Sequence, residues 1–372
     1  MGLPLPVVLG VLAGLVALGL ITLHFLLVLF TPPRIPTHPS EREYTTLPTS
    51  SRLPLPRLTD PPSLGLSIVV PAYNETERLQ LMLDETMEYL LDPPSPSPAS
   101  EGGQPAPEGI RAARKILEEG SEVLLVDDGS SDGTANKARV LAEMWEERVE
   151  GAGRKVEIRV VRLVKNRGKG GAVQHGVCHS RGRLILFADA DGASRFADLD
   201  LLLASMERTV DNEGQGMVVG SRAHLVSSEA VVKRSKLRNL LMHGFHLFLR
   251  TLGVGGIRDT QCGFKLFTRP TALLLFPPLH LPRWSFDVEL LLLASLISPA
   301  IPVSEIPIAW HEVNGSKIRL GWDSIGMARD LLVLRGNLAL GRWKVPKREV
   351  GEVKLNGNGS GAGKLVHQEA DK

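Results

Sequence analysis

Two aspartates, Asp189 and Asp191, stand at the end of an apolar run in the stretch RLILFADADGAS, residues 183–194. In an extended chain, residues two positions apart point to the same side, so the two carboxylates should lie close together. Carboxylates this close repel each other unless a cation lies between them. Mg²⁺ in proteins typically takes one or two carboxylates, several waters and the phosphates of a substrate. The doublet therefore favours a site for a divalent cation and a diphosphate.

Other interpretations of the doublet compete with this one. An EF-hand loop that began at Asp189 would need a ligand and then a glycine where the chain has Ala193 and Ser194, which excludes it. A phosphohydrolase with Asp189 as nucleophile is compatible with the spacing, although that motif normally opens its fold instead of following three strands. The aspartates could also simply shape a turn or cap a helix. The last two alternatives stay open.

Two more apolar runs end in polar signatures, Pro71-Ala-Tyr-Asn-Glu75 and Asp127-Asp128-Gly129. Acidic side chains at strand ends can accept hydrogen bonds from ribose hydroxyls or ring N–H groups. Alternatively, Asp127 and Asp128 only begin a turn, and Ser131 or Asp132 caps the next helix. The residues alone leave both interpretations open.

A glycine-rich stretch, KNRGKGGAVQHG at 165–176, begins a predicted helix and carries Lys169. Glycines let backbone N–H groups approach an anion, and a helix N-terminus favours negative charge. The stretch matches neither a Walker A loop nor Gly-x-Gly-x-x-Gly. It indicates phosphate binding only weakly when taken alone.

The elements that must position these residues alternate between strand and helix. Apolar runs near 64–70, 121–127, 156–163 and 183–188 predict strands, with helices between them. The first helix should begin near Asn74, which is predicted as its N-cap with Glu77 three residues on. We therefore expect an α/β fold with a mostly parallel sheet and helices on both faces. Ligands bind beyond the carboxyl ends of such strands, so the three signatures should converge at one edge.

The N-terminus differs from the rest of the chain. From Val7 to Phe30 the sequence is apolar, without a charged residue, and about 20 such residues span a bilayer. A signal peptide would have a basic start and a shorter apolar core, so we expect a retained anchor. Arg34, Arg42 and Arg52 follow the segment, and the positive-inside rule places the following chain in the cytosol.

These patterns predict the domain organisation. We expect a short lumenal N-terminus at 1–6, a transmembrane anchor at 7–30, a linker at 31–63, a cytosolic domain at 64–346 with a disordered insertion at 92–109, and a disordered tail at 347–372.

Charge and cysteine content narrow the class of protein further. The net charge of +2 does not point to nucleic acid as a partner. Two cysteines, Cys178 and Cys262, cannot form a disulfide framework and fit a reducing compartment. Basic, apolar-rich stretches at 222–258 and 327–348 are typical of helices at a membrane surface, or of buried helices with solvated ends. Both interpretations stay open.

Taken together and in order, the motifs resemble the GT-A-fold glycosyltransferases of family 2. The resemblance runs from about Leu66 to Lys344. VKNRGKGGAV, ADADGA, GSRAHL, GIRDTQCGFKLFTR and RWSFDVELL, behind an N-terminal anchor, are most similar to family members that act in the endoplasmic reticulum membrane. This implies inverting transfer of glucose from UDP-glucose to dolichyl phosphate for protein N-glycosylation, with Mg²⁺ or Mn²⁺ as cofactor. Mannosyl transfer from GDP-mannose is the alternative.

The resemblance also implies roles for individual residues. Asp189 and Asp191 match the metal–diphosphate motif, and Arg222 matches a basic position that faces phosphates. Asp191, Arg222 and Asp287 are the expected catalytic residues, with Asp287 or Glu289 facing the acceptor or, alternatively, only the helix surface. Acceptor-phosphate contacts are expected from Arg222, Lys265 and Lys317. The nucleotide-sugar contacts are expected from Pro71, Tyr73, Glu75, Asp127, Asp128, Lys169, Asp189 and Ala190.

The sequence departs from the family's pattern in two places. Related mannosyl enzymes often have Gln where this chain has Ala193, so metal coordination would depend more on diphosphate and water. An Arg that often precedes the Gly-x-Ser-Lys stretch is absent before Lys317. The Gln-x-x-Arg-Trp motif of processive enzymes is also absent, which favours transfer of a single sugar.

Overall fold

The computed structural model describes residues 4–45, 52–95, 107–227, 256–313, 315 and 320–348. Four sequence predictions fall on residues outside these ranges. They are Lys317, residues 228–255 of the basic, apolar-rich stretch at 222–258, most of the insertion at 92–109, and nearly all of the tail.

The core of the structure is one nine-stranded sheet with the order β2-β1-β5-β4-β3-β6-β8-β7-β9. The four central strands, β5-β4-β3-β6, are parallel, whereas β8 is antiparallel to both of its neighbours. The strands are β1 Glu43–Thr45, β2 Arg52–Pro54, β3 Leu64–Ala72, β4 Ser121–Asp127, β5 Val156–Arg162, β6 Gly182–Ala188, β7 Met217–Ser221, β8 Phe264–Thr268 and β9 Val303–Pro307.

Helices cover both faces of this sheet. One apolar cluster joins the sheet to α5, α7, α8 and α9, and a second joins its other face to α2, α4 and α6. Burial on both faces explains why β3 and β4 are continuous apolar runs. The predicted α/β architecture is thus confirmed. The helices are α1 Leu5–Phe30, α2 Leu79–Leu91, α3 Pro107–Ala113, α4 Thr134–Ala152, α5 Lys169–Cys178, α6 Leu199–Thr209, α7 Arg269–Leu275, α8 Phe286–Leu296 and α9 Leu320–Ala339.

The strand register brings the carboxyl ends of the central strands together. Ala72 at the end of β3 pairs with Asp127 at the end of β4, which in turn pairs with Arg162 of β5. The predicted N-cap at Asn74 is wrong, because α2 begins at Leu79. Asn74 instead adopts a left-handed conformation (φ 54°), and its Oδ1 accepts a hydrogen bond from the N–H of Ser131. It ties the loops after β3 and β4 to each other.

Helix α1 contains 26 residues with a mean hydropathy of 2.5, so by length and composition it could cross a membrane. It also packs against the domain through its C-terminal end. Leu27 lies against Gly336 of α9, where a Cβ would come within 2.6 Å of a Leu27 methyl carbon. Beyond α1, β1 pairs antiparallel with β5, so part of the segment predicted as a linker extends the sheet.

Candidate active site

Asp189 lies directly after β6, and glycine at position 263 makes room for it. Its N–H donates to the carbonyl oxygen of Gly263 (3.0 Å). A Cβ at position 263 would lie 1.9 Å from Asp189 Oδ2, so glycine is required for the carboxylate to hold its observed position. The Asp189 side chain keeps 28% of its area exposed, and it faces the start of α5.

Lys169, the first residue of α5, pairs with this carboxylate. Its Nζ lies 2.8 Å from Asp189 Oδ1, and 5.2 and 5.5 Å from the ring centroids of Phe187 and Trp284. Burial would lower the pKa of Lys169, but the carboxylates of Asp189 and Asp287 outweigh it and raise the pKa. The ammonium is therefore a permanent positive charge at the end of β6.

Asp191 faces a second cation, Arg78, which the sequence analysis did not identify. Asp191 Oδ1 accepts from the N–H of Ala193 (3.0 Å), and its Oδ2 lies 4.0 Å from Arg78 Nη1. The same guanidinium binds both carboxylate oxygens of Glu75, each at 2.8 Å. Arg78 thus joins the loop after β3 to the loop after β6. Its place just before α2 gave no motif by which it could have been found.

Asp127 and Asp128 lie at the end of β4, and both are only 2% exposed. Asp128 accepts from the backbone N–H groups of Arg167 (2.7 Å) and Gly168 (2.9 Å), so it holds the glycine-rich loop. Burial raises the pKa of Asp128 to about 7, although these two hydrogen bonds lower it. Burial also raises the pKa of Asp127, which accepts from the N–H of Ser130 (3.2 Å). These contacts are with the protein's own loops. The predicted cap of α4 at Ser131 or Asp132 is wrong, because Gly133 is the N-cap residue, although Asp132 Oδ1 accepts from the N–H of Thr134 (3.0 Å).

A cavity of about 420 Å³ opens beside this cluster. The loop after β3 forms one wall, and Asp132 and Gly315 contribute to the other. Tyr73, in the same loop, is 39% exposed, whereas Ala190 between the two aspartates is 4% exposed. Pro71 lies within β3 opposite Val126. Of these three residues, Tyr73 offers the most surface to a ligand.

Arg222 follows β7 and forms a bidentate pair with Asp259. Its Nε and Nη2 donate to the two carboxylate oxygens at 2.7 and 3.0 Å, and its N–H donates to Oδ2 at 2.9 Å. Burial would lower the pKa of Arg222, but the hydrogen bonds to Asp259 raise it. The guanidinium also lies over the ring of Trp310 (5.6 Å) and keeps a third of its side chain exposed. The sequence analysis missed Asp259 because 37 residues separate the partners.

Lys265 and Asp287 form a buried ion pair beneath the site. Lys265 Nζ lies 2.6 Å from Asp287 Oδ1, and the two side chains are 0% and 3% exposed. Burial raises the pKa of Asp287 against the lowering effect of Lys265. Glu289 is also buried and accepts from the N–H groups of His280 and Leu281. The helix-surface interpretation of this acidic pair is therefore wrong, and the geometry favours support of the site over direct contact with an acceptor.

The residues at the end of β6 fit a divalent cation that keeps positions open for other ligands. Asp189 and Asp191 are hard oxygen donors, and both side chains keep about 30% of their area exposed. Within the described part of the chain, no group of three or more His, Cys, Asp or Glu could hold a metal. Two carboxylates alone suit Mg²⁺ or Mn²⁺ because such ions keep sites for water and phosphate.

Comparisons with known proteins identify relatives of this chain. A family model described as glycosyl transferase family 2 matches residues 98–269. The dolichyl-phosphate beta-glucosyltransferase of Dictyostelium discoideum is 44% identical over 283 residues, which cover 76% of this chain and 77% of the relative. The protein of the same name from Saccharomyces cerevisiae is 39% identical over 347 residues, which cover 90% of this chain and 94% of the relative.

A solved structure, glucosyl-3-phosphoglycerate synthase of Mycobacterium tuberculosis in complex with Mn²⁺ and UDP-glucose, is 18% identical with a TM-score of 0.39 and covers 76% of this chain and 80% of its own. The sequence relatives are closer and extend over most of both chains. The chain therefore belongs to glycosyl transferase family 2, with the predicted GT-A-like α/β fold, and within it to the family of dolichyl-phosphate beta-glucosyltransferases.

Proposed function

We propose that this glycosyltransferase moves glucose from UDP-glucose to dolichyl phosphate with inversion, and gives dolichyl β-D-glucosyl phosphate. One observation carries the proposal beyond family membership. The loops after β3, β4 and β6 meet at one sheet edge through the contacts of Arg78, Lys169 and Asp128. Such an edge, at the carboxyl ends of parallel strands, is where α/β proteins bind nucleotides.

The nucleotide-sugar would lie along these loops. Tyr73 offers an exposed ring to the base, and Glu75 lines the cavity beside it. Asp127 and Asp128 would act through the turn and the glycine-rich loop that they hold. Pro71 and Ala190 would shape the two strand ends as backbone neighbours. Lys169 would face the diphosphate, since a donor that approaches Asp189 must also approach this ammonium.

Asp189 and Asp191 are the proposed metal ligands for Mg²⁺ or Mn²⁺. The bound ion would supply positive charge beside the leaving diphosphate. Lys169 stabilises the Asp189 carboxylate in the absence of the ion, and Arg78 lies 4.0 Å from Asp191. These two cations would lower the repulsion between the carboxylates before the donor arrives.

The acceptor would be a phosphate monoester, whose oxygen attacks the anomeric carbon from the face opposite UDP. Its second pKa is near 6, so most of it is a dianion at neutral pH and it needs no strong general base. Arg222 is a half-buried cation suited to contact a phosphate, because Asp259 fixes its guanidinium and Trp310 supports it. The buried pair of Lys265 and Asp287 would support the site from beneath without contacting the phosphate, and Lys317 remains a predicted phosphate contact.

The membrane would supply this acceptor. We propose a single-pass protein of the endoplasmic reticulum, with α1 in the bilayer and the domain on the cytosolic side. Helix α9 packs against the end of α1, and its side chains Ile325 and Leu332 are 66% and 58% exposed. These apolar side chains, with the arginines of the same segment, suit the interface of a bilayer.

The deciding assay uses the full chain in detergent or microsomes with dolichyl phosphate and either labelled UDP-glucose or labelled GDP-mannose. We expect a labelled lipid only from UDP-glucose, and EDTA should abolish it. The Asp191→Asn variant is the matched inactive control. Transfer from GDP-mannose, or release of inorganic phosphate without a glycolipid, would refute the proposed function.

A further inference from the structure

The segment between α1 and β1, residues 36–42, lies against the glycine-rich loop at the start of α5. Its central contact is Glu41, in a 3-10 helix over Pro39–Arg42. The Glu41 side chain is 2% exposed and forms an ion pair with Arg167, whose side chain is 10% exposed. Both groups are therefore largely withdrawn from water, although the sequence predicted the segment that contains Glu41 as a linker.

The Glu41 carboxylate accepts from three donors, one in its own segment and two in the loop between β5 and α5. They are the N–H of His38 (2.7 Å), the N–H of Val164 (2.7 Å) and the Arg167 guanidinium. The backbone carbonyl oxygen of Glu41 accepts from His175 Nε2 of α5 (2.8 Å). A solvated linker would not need such a set of buried hydrogen bonds, because water would satisfy the same groups.

Arg167 carries this contact into the proposed donor site. Its guanidinium also reaches the carbonyl oxygen of Pro36 (3.3 Å) and Thr37 Oγ1 (3.4 Å). Its own N–H is one of the two that Asp128 accepts, and two residues further on Lys169 pairs with Asp189. The side chain of Arg167 thus faces the juxtamembrane segment, while its backbone shapes the loop that orients Lys169.

We infer that Glu41 is a positioning residue of the donor site: through Arg167 it couples the segment that leaves the membrane anchor to the loop that places Lys169 beside Asp189. The inference rests on the proposed function for its meaning in catalysis. The consequence is that residues 36–42 contribute to the donor site, so the glycine-rich loop is ordered only when this segment packs against it.

The physical reason is that each partner depends on the other. Without the Glu41 charge, the buried Arg167 guanidinium has only neutral acceptors among its described contacts, namely those at position 41, Pro36 and Thr37. Breaking a buried pair leaves an uncompensated charge, which favours conformations of the loop that expose Arg167 to water. The N–H groups that Asp128 holds should then open more often, and Lys169 should lose its fixed position.

The test compares Glu41→Gln, Arg167→Gln and the double variant in the full chain. Glu41→Gln keeps the size of the side chain and one acceptor oxygen, but removes the charge. Glu43→Gln is the matched control, since Glu43 lies two residues away with 45% of its side chain exposed, and its carboxylate lies 3.9 Å from Arg52 Nη1. Hydrogen exchange of peptides over 165–170, UDP-glucose binding with Mn²⁺, and melting temperature are measured for each protein.

We expect Glu41→Gln to speed exchange over 165–170 and to weaken UDP-glucose binding about tenfold or more, the size typical when an orienting partner is lost. Arg167→Gln should weaken binding to the same extent, and the double variant should bind no more weakly than either single variant. Glu43→Gln should match the wild type. Wild-type exchange and affinity in Glu41→Gln would overturn the inference. So would a lower melting temperature with unchanged local exchange, since that indicates only general stabilisation.

The two proposals can fail separately. If the wild-type chain does not transfer glucose, the proposed function falls, whereas exchange over 165–170 still reports whether Glu41 orders the loop. If glucose transfer is intact and Glu41→Gln has no effect on exchange or binding, only the inference about Glu41 falls.

Discussion

Adding one methyl group at Gly263 should disable the site and leave the fold intact. A Cβ at this position would lie 1.9, 2.2 and 2.6 Å from Oδ2, Cγ and Oδ1 of Asp189. These atoms end a side chain that can rotate, and Gly263 does not have a positive φ. The Gly263→Ala protein should therefore fold, with the Asp189 carboxylate turned away from its present position.

The size of the effect follows from the required displacement. The carboxylate must withdraw by at least about 1.1 Å to restore a 3.0 Å contact. A misplacement of about 1 Å in a reacting group can cost about 100-fold in rate. We therefore expect kcat/KM to fall about 100-fold, which corresponds to about 2.7 kcal/mol at 1.36 kcal/mol per tenfold.

The assay is glucose transfer to dolichyl phosphate, with UDP-glucose and Mn²⁺ titrated separately. Gly256→Ala is the matched control, because a Cβ there comes within 4 Å of no atom in the described part of the chain. In an Asp189→Ala background, Gly263→Ala should cost almost nothing more, since the side chain that it displaces is already gone.

Wild-type kcat/KM in Gly263→Ala would refute the reasoning that the observed position of Asp189 is the working one. An additive loss in the Asp189→Ala background would show that the methyl group acts through something other than this carboxylate.

The remaining predictions concern the metal ligand, the buried acids and the phosphate cation. Asp191→Ala should abolish transfer with an unchanged melting temperature, and wild-type activity at ordinary metal concentration would refute its role as a ligand. Affinity for UDP-glucose, measured by calorimetry, should fall as the pH drops from 8 to 6, because protonation of Asp128 (pKa about 7) removes an acceptor from the loop. Asp128→Asn should flatten this profile, and a pH-independent wild type would contradict the assignment. The pKa of the Asp128 carboxyl is higher in the folded protein than in the unfolded chain, so protonation of this group favours folding. Its contribution to the free energy of unfolding is complete below about pH 4, the unfolded pKa, and is lost as the pH rises through about 7. Lys265→Met should destabilise the fold by about 3–5 kcal/mol, since it leaves Asp287 buried without its ion-pair partner. The double variant Lys265→Met/Asp287→Leu should regain most of the lost stability in thermal unfolding. Arg222→Gln should raise KM for dolichyl phosphate more than KM for UDP-glucose. Equal changes in both values would contradict a contact between Arg222 and the acceptor phosphate.

Local patterns were enough to predict the fold class and the strand ends. Continuous apolar runs identified β3, β4 and β6, because strands buried on both faces contain few polar residues. The same logic predicted that the three polar signatures lie at one edge of the sheet, and in the structure hydrogen bonds and ion pairs connect the loops that carry them. It failed at Asn74, whose cap-like spacing predicted a helix that begins five residues later. There the side chain bonds to the loop after β4, a tertiary contact that outweighs the local preference.

The sequence alone determined which chemical groups this protein brings to its site, namely the Asp189–Asp191 doublet, the strand-end acids and Lys169, because residue type and strand periodicity are local properties. Tertiary structure decided which of these groups face a ligand and which face each other. Asp128 holds a loop, Lys265 neutralises Asp287, and Arg78 and Glu41 join the site from segments without a motif. Each of these pairings depends on burial and on charges that meet only after folding, since the free energy of a carboxylate is set by the partners and solvent around it.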